Sequence, residues 1–269
     1  MLMGRVIFIG AGPGAADLIT VRGAQRLAQA DVVLFDALTD PALRVYAPKA
    51  RWIDVGKRGF ADARRAGAPA YDSTKQDAIN ALIVEHALEA DVVVRLKGGD
   101  PSVFGRLEEE LDAVRAAGLS CEVVPGVSAA HAAAADTQRP LTRRGSGRSV
   151  AFSTAMSREG AFVPTRSVDT EVFYMGGKQL AALGRRLRAA GWPADTPVSV
   201  VSRAGWPDRL HSDHTIGTLA QATVLHAGRP TVITVGAGAA ALDAAASSAS
   251  AAAAAVAIGR LGAAAVSKP

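Results

Sequence analysis

Short apolar runs recur along this chain, separated by longer mixed stretches. VIFIGAG (6–12), DVVLFD (31–36), RWIDVG (51–56), DVVVRLKGG (91–99) and CEVVPG (121–126) are near-continuous runs without the alternation of a strand that has one wet face. They predict strands buried on both faces of a largely parallel sheet. Residues 16–30, 73–90 and 105–118 read as the helices between them.

Beyond Gly126 the rhythm changes. SVAFSTA (149–155), EVFYMG (171–176), PVSVVSR (197–203) and TVITVGA (231–237) read as strands with longer loops and hairpin-like returns between them. A second α/β unit with a mixed sheet is expected. The predicted division is an N-terminal α/β domain over 1–126, a C-terminal α/β domain over 127–237 and an alanine-rich tail over 238–269. From Ala237 onward Ala, Ser and Gly offer no bulky face to bury, so a disordered or fraying extension is expected there.

At 269 residues, 49% hydrophobic and 20% charged, the chain is long and apolar enough for two packed units of ordinary size. No apolar run reaches the roughly 18–20 residues that span a bilayer. The start, MLMGRVIFIGAG, reads as a first strand rather than a signal peptide. The single cysteine, Cys121, fits a reducing cytoplasm; it reads as a small strand residue, with a reactive thiol as the alternative. The net charge of +5 points to an anionic partner. Aromatics make up 5% and are scattered, which favours an acidic small molecule over nucleic acid.

Two glycine-rich turns carry the candidate chemistry. Gly10-Ala11-Gly12-Pro13-Gly14-Ala15 loosely fits a dinucleotide fingerprint, and Asp36 ends the second strand where a ribose-binding acid would sit. Pro13 opposes that reading, because proline has no N–H for a pyrophosphate. A ligand-free tight turn and a non-phosphate ligand remain open. The second turn, Gly98-Gly99-Asp100-Pro101, lies at the carboxyl end of a strand, the usual crevice of an open α/β sheet. Paired glycines let a ligand lie on the backbone, and Asp100 offers an acceptor for hydroxyl or amine groups. His211, Asp213 and His214 in HSDH could suggest a metal, but no further ligand cluster supports one, and a turn between strands is the plainer reading. Trp192 and Trp206 read as packing residues.

These turns belong to a longer series: VIFIGAGPG (6–14), DLIT (17–20), VVLFDAL (32–38), VGKR (55–58), INALIVEHA (79–87), VRLKGGDPSVFGR (94–106), VVPGVSAA (123–130), PLTRR (140–144), YMG (174–176) and PADTPVSVV (193–201). In this order the series resembles the uroporphyrinogen-III C-methyltransferases of the tetrapyrrole methylase family. The resemblance implies two α/β domains with S-adenosylmethionine in the cleft between them, usually in a homodimer, and no metal. It implies methylation of uroporphyrinogen III to precorrin-2 by way of precorrin-1, on the route to siroheme and cobalamin. Another precorrin methylase, or a weakly active donor-binding paralogue, is the alternative.

The implied donor contacts are Pro13, Gly98, Gly99, Asp100, Val103, Ser128, Ala129, Met175, Ala204 and Thr231. Asp36 matches the family's proton acceptor and Lys57 its proton donor, while a turn-capping carboxylate and a surface lysine are the plain alternatives. Arg58, Arg106, Arg143 and Arg144 are the expected partners of the tetrapyrrole's carboxylates. Arg139 and Arg148 crowd the same loop as Arg143, and Arg64 and Arg65 follow Arg58. Guanidinium forks suit carboxylates. The family pattern changes at Ala37, Leu107, Arg143, Gly145 and Ala204, mostly on the acceptor side.

Overall fold

The computed structural model describes residues 4–56, 76–155 and 166–242. Lys57, Arg58, Arg64 and Arg65 lie outside the described residues.

Strands β1 (Arg5–Gly10), β2 (Val32–Phe35), β3 (Arg51–Asp54), β4 (Val92–Lys97) and β5 (Ser120–Val124) form one sheet in the order β3-β2-β4-β1-β5. Every pairing in it is parallel. One face packs Val6, Phe8, Leu34 and Val93 against Ile79 and Ile83 of α2 (Gln76–Glu89) and Val114 of α3 (Leu107–Ala116). The other packs Ile7, Ile9, Val94 and Leu96 against Leu27 of α1 (Val21–Leu27). The helix after β1 and the helix after β4 therefore cover opposite faces, although β1 and β4 are neighbours. This is a topological switch point, and it opens a crevice at the carboxyl ends of those two strands. Both glycine-rich turns are there.

The second sheet holds β6 (Val150–Thr154), β7 (Thr170–Tyr174), β8 (Pro197–Ser202), β9 (Leu210–Thr215) and β10 (Thr231–Gly236) in the order β6-β7-β10-β8-β9. Only β6 and β7 run parallel. On one face Phe173, Val200 and Ile233 meet Leu180, Leu183 and Leu187 of α5 (Leu180–Ala189). On the other, Val172, Val201 and Val232 meet Ala130 and Ala133 of α4 (Ala129–Thr137). The sheet is mixed, as its sequence pattern predicts.

Four expectations change. The segment 16–30 is not one helix: Thr20 caps α1 by accepting from the Gly23 N–H at 3.0 Å, after a separate turn over Ala16–Leu18. HSDH is not a turn but the middle of β9, an edge strand whose outer groups can stay polar because they face water. The tail does not fray from Ala237. Ala237–Ala239 form a 3₁₀ turn with Gly238 and Ala239 buried.

Arg139 contributes to that turn's anchoring, which is the fourth change. Its guanidinium pairs with both carboxylate oxygens of Asp213 and donates to the Ala239 carbonyl. Arg143 likewise donates to the Ala240 carbonyl. These arginines hold the segment at Ala239 and Ala240 rather than presenting free forks to a ligand.

Candidate functional site

Asp36 leaves β2 in a tight turn, with its carbonyl accepting from the Thr39 N–H and hydroxyl at 3.0 and 2.8 Å. Its side chain is 13% exposed, and Oδ1 accepts from Arg95 Nη2 at 2.6 Å. Arg95 lies on β4 and is fully buried. The strand read as apolar thus carries two buried cations on one face. Arg95 Nε donates to Glu110 Oε1 at 3.2 Å, and Lys97 Nζ donates to Glu110 Oε2 at 2.5 Å. Gln76 also donates to Glu110, at 3.1 Å. Burial alone would lower the Arg95 pKa, but the charges of Asp36 and Glu110 outweigh it and hold the guanidinium above its ordinary value. Sequence reading passed over this network. The signal was available: charges inside an apolar strand require buried partners.

The Gly98–Asp100 turn faces the crevice. A Cβ at Gly98 would meet nothing nearer than Leu38 Cβ at 3.8 Å, and one at Gly99 nothing nearer than the Val127 carbonyl at 4.0 Å. Space for a ligand therefore lies directly over this backbone. Gly99 has φ +72°, where a side chain is strained, and it bridges Gly12 through hydrogen bonds of 2.7 and 3.3 Å. Asp100 is committed to its own loop: its oxygens accept from the Ser102 N–H at 2.8 Å and the Gly126 N–H at 2.9 Å.

The first glycine turn has a different use. A Cβ at Gly14 would lie 2.3 Å from the Gly205 carbonyl carbon, the Ala15 N–H donates to the Gly205 carbonyl at 2.9 Å, and Trp206 Nε1 donates to the Pro13 carbonyl at 3.1 Å. The turn is pressed against the loop after β8, backbone on backbone, so no pyrophosphate fits between them. Trp206 packs as expected, and its target is this turn. Ala204 sits buried in the same loop.

Ser128 and Ala129 begin α4, and the buried Ser128 Oγ lies 2.6 Å from the Tyr174 hydroxyl. Burial raises the Tyr174 pKa, so the phenol stays neutral. Its ring contacts Phe104 at 5.2 Å, which carries the loop of Val103 to the next residue, Met175. Met175 is left-handed at φ 58°, as is Arg203 at φ 52°, just before Ala204. Such backbone persists only where neighbours over-determine it.

Contacts thus join the segments that carry Pro13, Gly98, Gly99, Asp100, Val103, Ser128, Ala129, Met175 and Ala204: Gly99 to Gly12, Pro13 to Trp206, Asp100 to Gly126, and Tyr174 to Ser128 and Phe104, with Leu38 of the Asp36 turn beside Gly98 at the crevice. Thr231 is buried behind it, 2.9 Å from Ser202 Oγ. Arg106 flanks it but is tied to Glu109 at 2.5 Å. Arg143 and Arg144 are not brought there. Their turn abuts Ala237 past the end of β10, whereas Met175 and Ala204 lie at the sheet's other end. Among the described residues no group of three or more His, Cys, Asp or Glu could hold a metal, and no helix is long and apolar enough to cross a membrane.

Ser202 Oγ also lies 2.6 Å from Nδ1 of the fully buried His226, whose Nε2 is 2.8 Å from Ser212 Oγ. Burial, with smaller contributions from His214, His211 and Arg229, lowers the His226 pKa to about 4. Unfolded, the ring takes its proton at about 6.5. The unfolded chain therefore binds more protons between those values, and stability falls as pH drops through that window and levels off below it. We expect the urea midpoint to fall between pH 7 and pH 4.5, with a cost on the order of 2 kcal/mol from this residue. In His226→Asn the fall should be shallower; equal slopes would assign the acid sensitivity elsewhere.

The class of protein that this switch-point crevice defines is met in known families. Residues 5–222 match the family model of tetrapyrrole (corrin/porphyrin) methylases, and the chain belongs to that family. Among curated relatives, a siroheme synthase of Baumannia cicadellinicola is 41% identical over 243 residues, covering 87% of this chain and 50% of that protein. A uroporphyrinogen-III C-methyltransferase of Synechocystis is 38% identical over 245 residues, covering 88% and 89%. The chain spans about half the length of the first curated relatives it matches. Among solved structures, a uroporphyrin-III C-methyltransferase of Thermus thermophilus complexed with S-adenosylhomocysteine is 32% identical with a TM-score of 0.74, covering 87% of this chain and 98% of that one.

Proposed function

We propose that the chain is an S-adenosylmethionine-dependent C-methyltransferase that converts uroporphyrinogen III to precorrin-2 by way of precorrin-1. The observation that carries this reading is the open backbone floor at Gly98 and Gly99, set at the switch point of a tetrapyrrole methylase fold. The names of the relatives and the S-adenosylhomocysteine held by the Thermus enzyme support it. The same reading takes 1–126 and 127–237 as two domains of a cytoplasmic homodimer, with Lys57 as proton donor.

The residues fit the donor. A glycine floor, small side chains at Ala129 and Ala204, and buried hydroxyls suit a nucleoside laid on backbone, and no metal is required. The donor supplies an activated methyl group on a sulfonium. The chain's task is chiefly to align two reactants, which is where most of the gain in such a displacement arises. After attack by an electron-rich pyrrole carbon the acceptor must lose a proton. Asp36 Oδ1 is held by Arg95, which leaves Oδ2 to accept that proton.

Gly98→Val tests the floor with little backbone strain, because Gly98, unlike Gly99, has no left-handed φ. It should weaken S-adenosylhomocysteine binding at least tenfold, about 1.4 kcal/mol or more, with an unchanged melting temperature. Calorimetry showing wild-type affinity in the folded variant would remove the cleft assignment. Saturable NADH binding would restore the dinucleotide reading.

A further inference from the structure

The hydrogen-bonded chain through His226 has only one consistent direction. Thr231 gives its hydroxyl proton to the Arg229 carbonyl at 2.8 Å, so toward Ser202 it can only accept. Ser202 therefore donates to Thr231, and its oxygen accepts from His226 Nδ1–H. A neutral ring protonated at Nδ1 accepts at Nε2, which fixes the Ser212 hydroxyl as donor. Ser212 in turn accepts from His214 Nε2–H at 2.8 Å. Each proton is used once, from the cleft side of β10 through β8 to the edge strand β9.

The inner end of this chain lies beneath both left-handed residues of the donor side. A Cβ at Gly177, two residues beyond Met175, would come within 2.9 Å of Thr231 Oγ1, so that backbone rests on the threonine. Arg203 follows Ser202 directly, and its N–H donates to the Pro230 carbonyl, one residue before Thr231, at 2.8 Å. We propose that His226 is a positioning residue for the methyl donor: through Ser202 and Thr231 it locks the backbone that presents Met175 and Ala204. The inference rests on the donor reading above. His226 touches no ligand itself; it supplies the outer constraint that keeps two strained residues in place.

The test is calorimetric titration of S-adenosylhomocysteine into wild type, His226→Phe, His226→Asn and Ser202→Ala, each with its melting temperature. His226→Phe keeps the ring's bulk and loses both hydrogen bonds, so affinity should fall tenfold or more. Ser202→Ala breaks the chain at its junction, should do the same, and carries the test if the phenylalanine variant does not fold. His226→Asn retains a donor near the Nδ1 position and should bind within threefold of wild type. A folded His226→Phe or Ser202→Ala with wild-type affinity overturns the inference, even if its melting temperature falls. If wild type itself does not bind, the donor reading fails and this inference with it.

Discussion

Asp36→Asn should slow single-turnover methyl transfer by about 10²–10⁴, the usual cost of losing a general base. The exchange preserves size and removes the basic oxygen. The fold should survive, because Arg95 keeps Glu110 and the carbonyls of Leu34 and Leu96 as partners. Donor affinity should be unchanged, since the glycine floor is formed by other residues. Single-turnover rates measured beside S-adenosylhomocysteine affinity separate the roles. If both collapse, Asp36 holds the donor or the fold. If neither changes, the proton leaves to water and the carboxylate only ends β2. The resemblance implies an arginine where this chain has Ala37, so Ala37→Arg is the companion variant; a faster enzyme would show that this chain lacks an acceptor-side contact.

Glu110→Ala should be the most damaging single change to stability. Glu110 is fully buried and is the shared partner of two buried cations, Arg95 and Lys97. Removing one member of a buried ion-pair cluster typically costs about 3–5 kcal/mol, because the remaining charge stays desolvated. Urea denaturation should show that loss, and Glu110→Gln, which retains an acceptor, should lose less. A change below about 1 kcal/mol would mean that water or rearranged partners compensate the two cations. The consequence reaches function, since the same guanidinium holds Asp36.

Much of the fold was legible because the parallel strands stand out as apolar runs, although only the inner strands β1, β2 and β4 are buried on both faces and the edge strands β3 and β5 are partly exposed. All nine predicted strands are present, and the glycine turns lie at strand ends as the runs implied. The tenth strand, β9, was missed because LHSDHT has no apolar alternation; as an edge strand it gains order from pairing with β8 rather than from burial. Helix α4 was missed because AAHAAAADT carries no stripe of large residues; alanines are what allow it to lie close on β7, β8 and β10. Helix α5 did carry a readable signal in Leu180, Leu183 and Leu187.

The candidate site divides along the same line. The glycine-rich turns could be placed at strand ends from local spacing, while the donor contacts expected on them came from the family resemblance. Partners that depend on which strands become neighbours could not be placed. Asp36 meets Arg95 because β2 lies beside β4, and Ser202 meets Thr231 because β8 lies beside β10. The arginine-rich loop misled for the complementary reason: clustering in sequence does not say which end of a sheet a loop occupies, and Arg139 and Arg143 are engaged with the carbonyls of Ala239 and Ala240.

The most direct measurement is anaerobic incubation of the protein with uroporphyrinogen III and S-adenosylmethionine labelled in its methyl group. A dimethylated tetrapyrrole carrying the label, formed in step with S-adenosylhomocysteine, is the expected result. S-adenosylhomocysteine bound at the cleft, with no label transferred to the tetrapyrrole, would contradict it.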